Sequence, residues 1–259
     1  MDVKKIIVAS FQRSGTHFLI NNLATNFLGI ENGWVDILNK AIQRSLGESE
    51  RVDFKEKIWE QLRAYHRSPL RRCLKTHFQM YFFEPRLDAI LEKYDVLYVV
   101  RDPRDTLVAC YQYYNHTCFE PFLKEPVFSK FLRADLWRVK TETDPFSYSY
   151  VKPRNIVDKW NKHVLSWMHY QDKGVVFVRF SDLKSRLEPT LQGIEAKTTL
   201  RLKPAIQEVP LNDKRVRPDF KLDGYPRGEV GGWRDYFSAD DLRFVDQTLS
   251  AQTKQFLDA

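Results

Sequence analysis

Residues 4–27 read KKIIVASFQRSGTHFLINNLATNF, and their pattern decides the fold class. The run KKIIVASF (4–11) is short, β-branched and without polar alternation, the pattern of a strand buried on both faces. Polar residues and Gly15 break the run between Gln12 and Thr16. Beyond them Phe18, Leu19, Leu23 and Phe27 recur at helical spacing. Strand, tight loop and helix in that order open a parallel α/β unit.

The alternation continues outward from this stretch. Residues 51–64 carry a helical pattern, 72–76 a weaker strand and 86–91 a short helix. The strongest strand is YDVLYVV (94–100), which runs into RDPRD and a helix from about residue 104 to 114. Asp102 suits its N-cap, Pro103 the first helical position and Asp105 the first turn. Residues 117–154 lack clear periodicity and are rich in aromatics and prolines, which reads as an insertion covering a site. Ile156, Trp160, Val164, Trp167 and Met168 form an apolar helical stripe, and VVFVRF (175–180) is another buried strand. Residues 210–227, with many charges and prolines, read as a surface loop. Ser238, with Asp241 three positions on, opens a final helix through a capping box. The expected architecture is a three-layer α/β sandwich with a central parallel sheet, in one domain over residues 1–259.

Composition bounds the partners. The chain is 43% hydrophobic and 29% charged, so it is not too polar to build a core. A formal net charge of +7 favours an anionic partner: nucleic acid, anionic membrane or phosphorylated small molecule. The cysteines, Cys73, Cys110 and Cys118, form no C-x-x-C pair, which argues against a disulfide framework and a structural zinc site. The apolar run from Ile6 to Ala9 is too short for a secretion signal, and no apolar stretch reaches the roughly 18 residues of a membrane span. A cytoplasmic location is the expectation.

In parallel α/β sheets, ligands bind beyond the carboxyl ends of the strands. Three such points carry suggestive residues. At Arg13-Ser14-Gly15-Thr16-His17, Gly15 lets the backbone turn closely around an anion and the next helix offers unpaired N–H groups. Arg13 adds charge, and Ser14 and Thr16 add hydroxyls. A plain connection with a Ser/Thr cap explains the same residues. The pattern G-x-x-x-x-G-K-[ST] is not met, so an NTP-hydrolysing P-loop is not expected. At Lys75-Thr76-His77, imidazole can take a proton from a hydroxyl while lysine neutralises an oxyanion. Taken alone, that histidine is better explained by a structural hydrogen bond. At Arg101-Asp102-Pro103, the arginine leaves a central strand where it can grip a phosphate with both prongs, or form an Arg–Asp salt bridge that stiffens the turn. The other histidines, His17, His66, His116, His163 and His169, show no metal-ligand spacing, so no metal is expected.

Together these motifs resemble the cytosolic-type sulfotransferase family. The resemblance rests on QRSGTHFL (12–19), LKTHF (74–78), VLYVVRDPRDTLVACYQYY (96–114) and RGEVGGW (227–233), in the family's order and over most of the chain. It implies a fold related to P-loop nucleotide kinases and 3′-phosphoadenosine 5′-phosphosulfate (PAPS) as sulfuryl donor. By that resemblance Arg13, where the family usually has lysine, lies with Ser14, Gly15, Thr16 and His17 in the loop holding the 5′-phosphosulfate. Phe18 falls where an aromatic packs against adenine, and Phe180 near a tyrosine that contacts the nucleotide. His77 matches the general base and Lys75 a lysine that stabilises the transferring group. Arg101, Arg227 and Gly228 match contacts to the 3′-phosphate. There are departures: Ala109 stands where a serine usually binds that phosphate, Pro226 where a basic residue is common and Gly232 where an acidic one is. The missing hydroxyl is either absent or supplied from elsewhere, by Thr106 or by a residue of the insertion.

The chemistry so implied is in-line sulfuryl transfer, with His77 taking the acceptor's proton while Arg13 and Lys75 stabilise oxygen charge in place of a metal. Two other classes compete. An ATP-dependent phosphotransferase would need a Walker-type lysine and a metal-binding acid, and neither is in place. A nucleic-acid-binding protein is suggested by the net charge and by Lys214-Arg215-Val216-Arg217, but these lack interleaved aromatics and a recognisable module. No nucleic-acid partner is therefore expected. Residues 33–67, 80–84, 117–154 and 210–227 are rich in aromatics and expected to line the pocket of a small-molecule acceptor bearing a hydroxyl or amine. Aromatics in loops also build local cores, and the positive charges suit a polar or anionic acceptor equally. Oligomeric state is left open.

Overall fold

The computed structural model describes residues 4–37, 54–116, 124–136, 153–211 and 228–258. The opening stretch folds as the pattern predicts, into strand β1 (Lys5–Ser10) and helix α1 (Thr16–Asn26). A strand not foreseen, β2 (Trp34–Asp36), follows. Next come α2 (Phe54–Arg67), β3 (Cys73–Thr76), the short α3 (Leu87–Lys93) and β4 (Tyr94–Val100). The RDPRD turn leads into α4 (Pro103–His116); the Asp102 carboxylate accepts from the Arg104 N–H at 2.8 Å, capping this helix as expected. Beyond it lie α5 (Phe128–Arg133), α6 (Ile156–Met168) and β5 (Val175–Arg179). Phe180, read from sequence as the last strand residue, instead begins α7 (Phe180–Ser185), and α8 (Leu187–Lys197) follows. The capping box at Ser238 and Asp241 opens α9 (Ala239–Thr248), ahead of α10 (Ala251–Asp258).

The five strands are all parallel, in the order β2-β3-β1-β4-β5. Every residue of β4 is buried, which explains why its sequence shows no polar alternation. Period-2 geometry still sorts the side chains to two faces. Ile7, Ala9, Leu74, Val96 and Tyr98 enter one core, under α2, α4 and α6. Ile6, Val8, Cys73, Leu97 and Val99 enter the other, against Leu19, Leu23 and Ile194 from α1 and α8. Each fully buried Leu, Ile or Val contributes about 1.5–3 kcal/mol, so the two faces together hold the three layers. Register then positions the chemistry. Ala9 pairs with Thr76 and Ser10 with Val99, so His77 emerges beside Ser10 and Arg101 two residues beyond the Val99 rung.

Candidate active site

The donor loop gets its shape from backbone geometry. Arg13 has φ 65° and Gly15 φ 97°, both in the left-handed region that L side chains avoid. At Gly15 the glycine is needed twice over, because an added Cβ would also lie 2.3 Å from the Phe180 ring. Gly15 is the N-cap of α1, and no side chain caps the helix or brings an acid to its first turn. The Ser/Thr-cap alternative is thus not what forms. Thr16 Oγ1 turns back to Ser10 Oγ at 2.5 Å. The first N–H groups of α1 therefore face outward with the positive end of the dipole, as an anion site requires. Ser14 Oγ is buried without a hydrogen-bond partner among the described residues. A buried hydroxyl left so is costly in isolation and suits a polar ligand.

Helix α4 braces this loop. The Arg13 guanidinium lies over the Tyr113 ring at 4.9 Å, and Tyr114 Oη donates to Gln12 Oε1 at 2.8 Å. Arg101, 9% exposed, donates from Nη1 to the Arg13 carbonyl at 3.2 Å and from Nη2 to the Glu229 carbonyl at 2.8 Å. The salt bridge with Asp102 is made by Arg104, at 2.6 Å. Arg101 is thereby drawn to the donor loop, and its guanidinium lies 5.0 Å from the Phe180 ring centroid. Phe18 meets Phe180 edge-on at 5.8 Å. The glycine-rich loop is closed onto the same place: the Asp105 carboxylate accepts from Gly231 N–H at 2.9 Å and Trp233 N–H at 3.1 Å, and Lys184 holds the Gly228 carbonyl at 2.7 Å. Ala109 is buried and supplies no hydroxyl; Thr106 Oγ1, one turn earlier on α4, is buried without a partner among the described residues. A cavity of about 520 Å³ opens beside Arg101 and Phe180, and α9 and α10 wall its far side. Arg227 and Pro226 lie outside the described residues, as do Cys118, the basic run 214–217 and most of the 117–154 stretch.

At the end of β3 the histidine takes a definite tautomer. His77 Nδ1 lies 2.9 Å from the Ser10 carbonyl, which can only accept, so Nδ1 carries a proton, and in the neutral ring Nε2 holds the lone pair. Lys75, 5% exposed, is held by Asp36 Oδ1 at 2.7 Å, by His17 Nε2 at 3.3 Å and over the Trp34 ring at 4.9 Å. Asp36 and Trp34 come from the strand that sequence reading missed; three residues are too few to show a period. The donor loop and the Lys75–His77 pair thus meet where β1 and β3 end: Thr16 and His77 share Ser10, and His17 touches Lys75. Among the described residues no group of His, Cys, Asp and Glu is placed to hold a metal ion. No helix among them is long and apolar enough to cross a membrane.

A family model described as the sulfotransferase domain matches residues 3–256. The chain belongs to this sulfotransferase family. It is 24% identical over 234 residues to sulfotransferase 6B1 of Danio rerio, covering 83% of this chain and 72% of that protein. The mouse sulfotransferase SULT7A1, solved in complex with PAP, superposes with TM-score 0.60 at 20% identity, over 95% of this chain and 82% of the other. Retinol dehydratase, solved with androsterone and the inactive cofactor PAP, gives TM-score 0.54 at 18% identity, over 96% of this chain and 80% of that one. This sulfotransferase therefore has an enzyme's fold, and its parallel sheet ends in the loops described above.

Proposed function

We propose that this sulfotransferase moves the sulfuryl group of PAPS to a hydroxyl, or alternatively an amine, of a small molecule. The observation that carries the reading is the placement of His77, whose Nδ1–H is held by the Ser10 carbonyl, next to a buried lysine and an uncapped, glycine-turned helix N-terminus. PAPS, when bound, supplies an activated sulfuryl group on a nucleotide phosphate. The residues present fit such a molecule. Ser14 Oγ and the amides of Thr16, His17 and Phe18 bind the 5′ end, and Gly15 keeps the approach clear. Arg101, Gly228 and Arg227 hold the 3′-phosphate, with Thr106 in place of the usual serine, while Phe18 and Phe180 face the base. Arg13 and Lys75 stabilise negative charge on the transferring group's oxygens. His77 takes the proton from the acceptor's hydroxyl as its oxygen attacks, and the sulfuryl group leaves the phosphate oxygen in line.

In the turn after β3, a few residues beyond His77, Tyr81 meets Phe82 edge-on at 5.8 Å and Lys55 lies over the Tyr81 ring, and these are our candidates for the acceptor lining. Such a lining suits a small aromatic or alicyclic alcohol. Thermal shift with PAP tests the donor half, with AMP, and ATP plus magnesium, as controls. At a hundredfold excess over Kd a native-state ligand stabilises by about 2.7 kcal/mol. Stabilisation by PAP alone, followed by transfer of label from PAPS to members of an alcohol panel, is the expected result. No shift with PAP, or a larger one with ATP and magnesium, overturns the reading.

A further inference from the structure

Helix α6 lies along the segment that follows β3, and three of its side chains bind that segment's backbone in succession. His163 Nε2 lies 3.0 Å from the His77 carbonyl. Trp167 Nε1–H donates to the Phe78 carbonyl at 3.1 Å, and the Met80 N–H donates to Ser166 Oγ at 3.2 Å. Residues three and four apart share a helix face, so one face of α6 makes all three bonds. Two of them are ordinary satisfaction of buried backbone groups. The first is more specific.

A carbonyl only accepts, so His163 Nε2 must carry a proton. Its other nitrogen, Nδ1, lies 2.9 Å from Tyr98 Oη on β4. With Nε2–H on the carbonyl, Nδ1 of the neutral ring holds the lone pair, so the Tyr98 O–H donates to it. The chain Tyr98 O–H, His163 N–H, His77 carbonyl is therefore directed one way throughout. Tyr98 is 0% and His163 3% exposed, and the Tyr98 ring stacks on Trp167 at 5.4 Å. Burial pushes the His163 imidazole down to about 3, so it stays neutral and keeps this tautomer near neutral pH.

We propose that Tyr98 and His163 form a positioning pair that fixes His77 for proton removal. His77 is then held at both ends, its ring on the Ser10 carbonyl and its main chain on His163, so Nε2 has one place to point. The pair touches neither donor nor acceptor. Its effect is geometric: reacting atoms must meet at about 3–3.5 Å, and a misplacement of about 1 Å costs about 10²-fold. The inference rests on His77 being the base, and the test separates the two ideas.

The variants are His163→Phe, which keeps a ring but loses both bonds, and His163→Gln, whose amide N–H reaches the Nε2 position. His77→Ala is the reference. In protein labelled with ¹⁵N-histidine, wild-type His77 should show one set of ring signals with the proton on Nδ1. His163→Phe should broaden or double that set, and His163→Gln should restore it. PAP affinity should stay within about twofold in both, because the donor loop is untouched. In label transfer from PAPS to the alcohols of the panel, His163→Phe should lower kcat about 10–100-fold with KM for PAPS unchanged, and His163→Gln should recover much of it. Should His163→Phe not fold, Tyr98→Phe, which removes one oxygen atom, carries the same comparison. Unaltered His77 signals in a folded variant that has lost only thermal stability would overturn the pairing, and so would glutamine behaving as phenylalanine does. Near-normal turnover by His77→Ala would instead remove the base reading, leaving the ring signals to judge the pair.

Discussion

The donor loop and the segment carrying His77 lie side by side, yet they are held in opposite ways. The loop's turn is made by its own backbone, with two positive φ values at Arg13 and Gly15 and a helix that begins at once, and α4 and Arg101 brace it from outside. His77 depends on residues far away in sequence, Ser10 at a separation of 67 and His163 at 86. A locally built loop breaks when its backbone is altered. A site held from afar breaks when distant side chains or their protonation change. The same reaction centre should therefore fail in two distinguishable ways.

The largest effect is expected at His77 itself. His77→Ala should lower kcat by about 10²–10⁴-fold while leaving PAP affinity intact, checked by label transfer and by calorimetry. Loss of both together would mean that the two regions are not independent. Gly15→Ala attacks the other region: it forces a Cβ into the Phe180 ring at an adverse φ. It should reduce PAP affinity about 10–100-fold, as the loss of a hydrogen bond to a charged group does, and lower stability by about 1–3 kcal/mol. Denaturant unfolding with and without PAP reads both.

Acid should select between the regions without any mutation. His163 binds a proton at its ordinary value of 6.5 when unfolded but only near 3 when folded, because burial disfavours the cation. The unfolded chain thus takes up more protons in that interval. Stability contributed by neutral His163 is present above about pH 6.5 and is lost as pH falls toward 3, by at most about 1.4 kcal/mol per pH unit. Amide exchange at pH 5 should speed up at residues 77–80 before it does at 15–18, and His163→Gln should flatten the pH dependence by one proton. The smallest effect is a gain. Ala109→Ser should tighten PAP binding by up to about tenfold, the worth of one added hydrogen bond. No change in Kd would mean that Thr106 already fills that role.

The same contrast explains what the sequence made legible. The donor loop, the Arg101 exit and the Ser238–Asp241 capping box are each written in consecutive residues whose local chemistry has few alternative uses. The strands of the core were equally visible because burial on both faces removes polar alternation. Asp36 and Trp34 were not, since a three-residue edge strand has no period and its meaning arises only when β3 lies beside it. Tyr98, His163 and Tyr113 read as ordinary members of a buried strand and of apolar helix faces. Their hydrogen bonds and ring contacts join different elements, and no spacing along the chain encodes them. The Phe180 boundary failed because the same aromatic that ends a strand also begins a helix.

The closure of Arg101 by Glu229, and of Asp105 by Gly231 and Trp233, bears on the order in which the protein is made. The donor loop leaves the ribosome before Arg101, and the carbonyl that holds Arg101 comes a further 128 residues later. Among the described residues the sheet is wholly parallel, so no hairpin there assembles part of the site early. A nascent chain short of Trp233 has the anion-binding turn without its closing wall. On the proposed reading, nucleotide recognition accordingly waits until translation has passed Trp233, and a bound nucleotide certifies that the sheet and its closing loop have both been assembled.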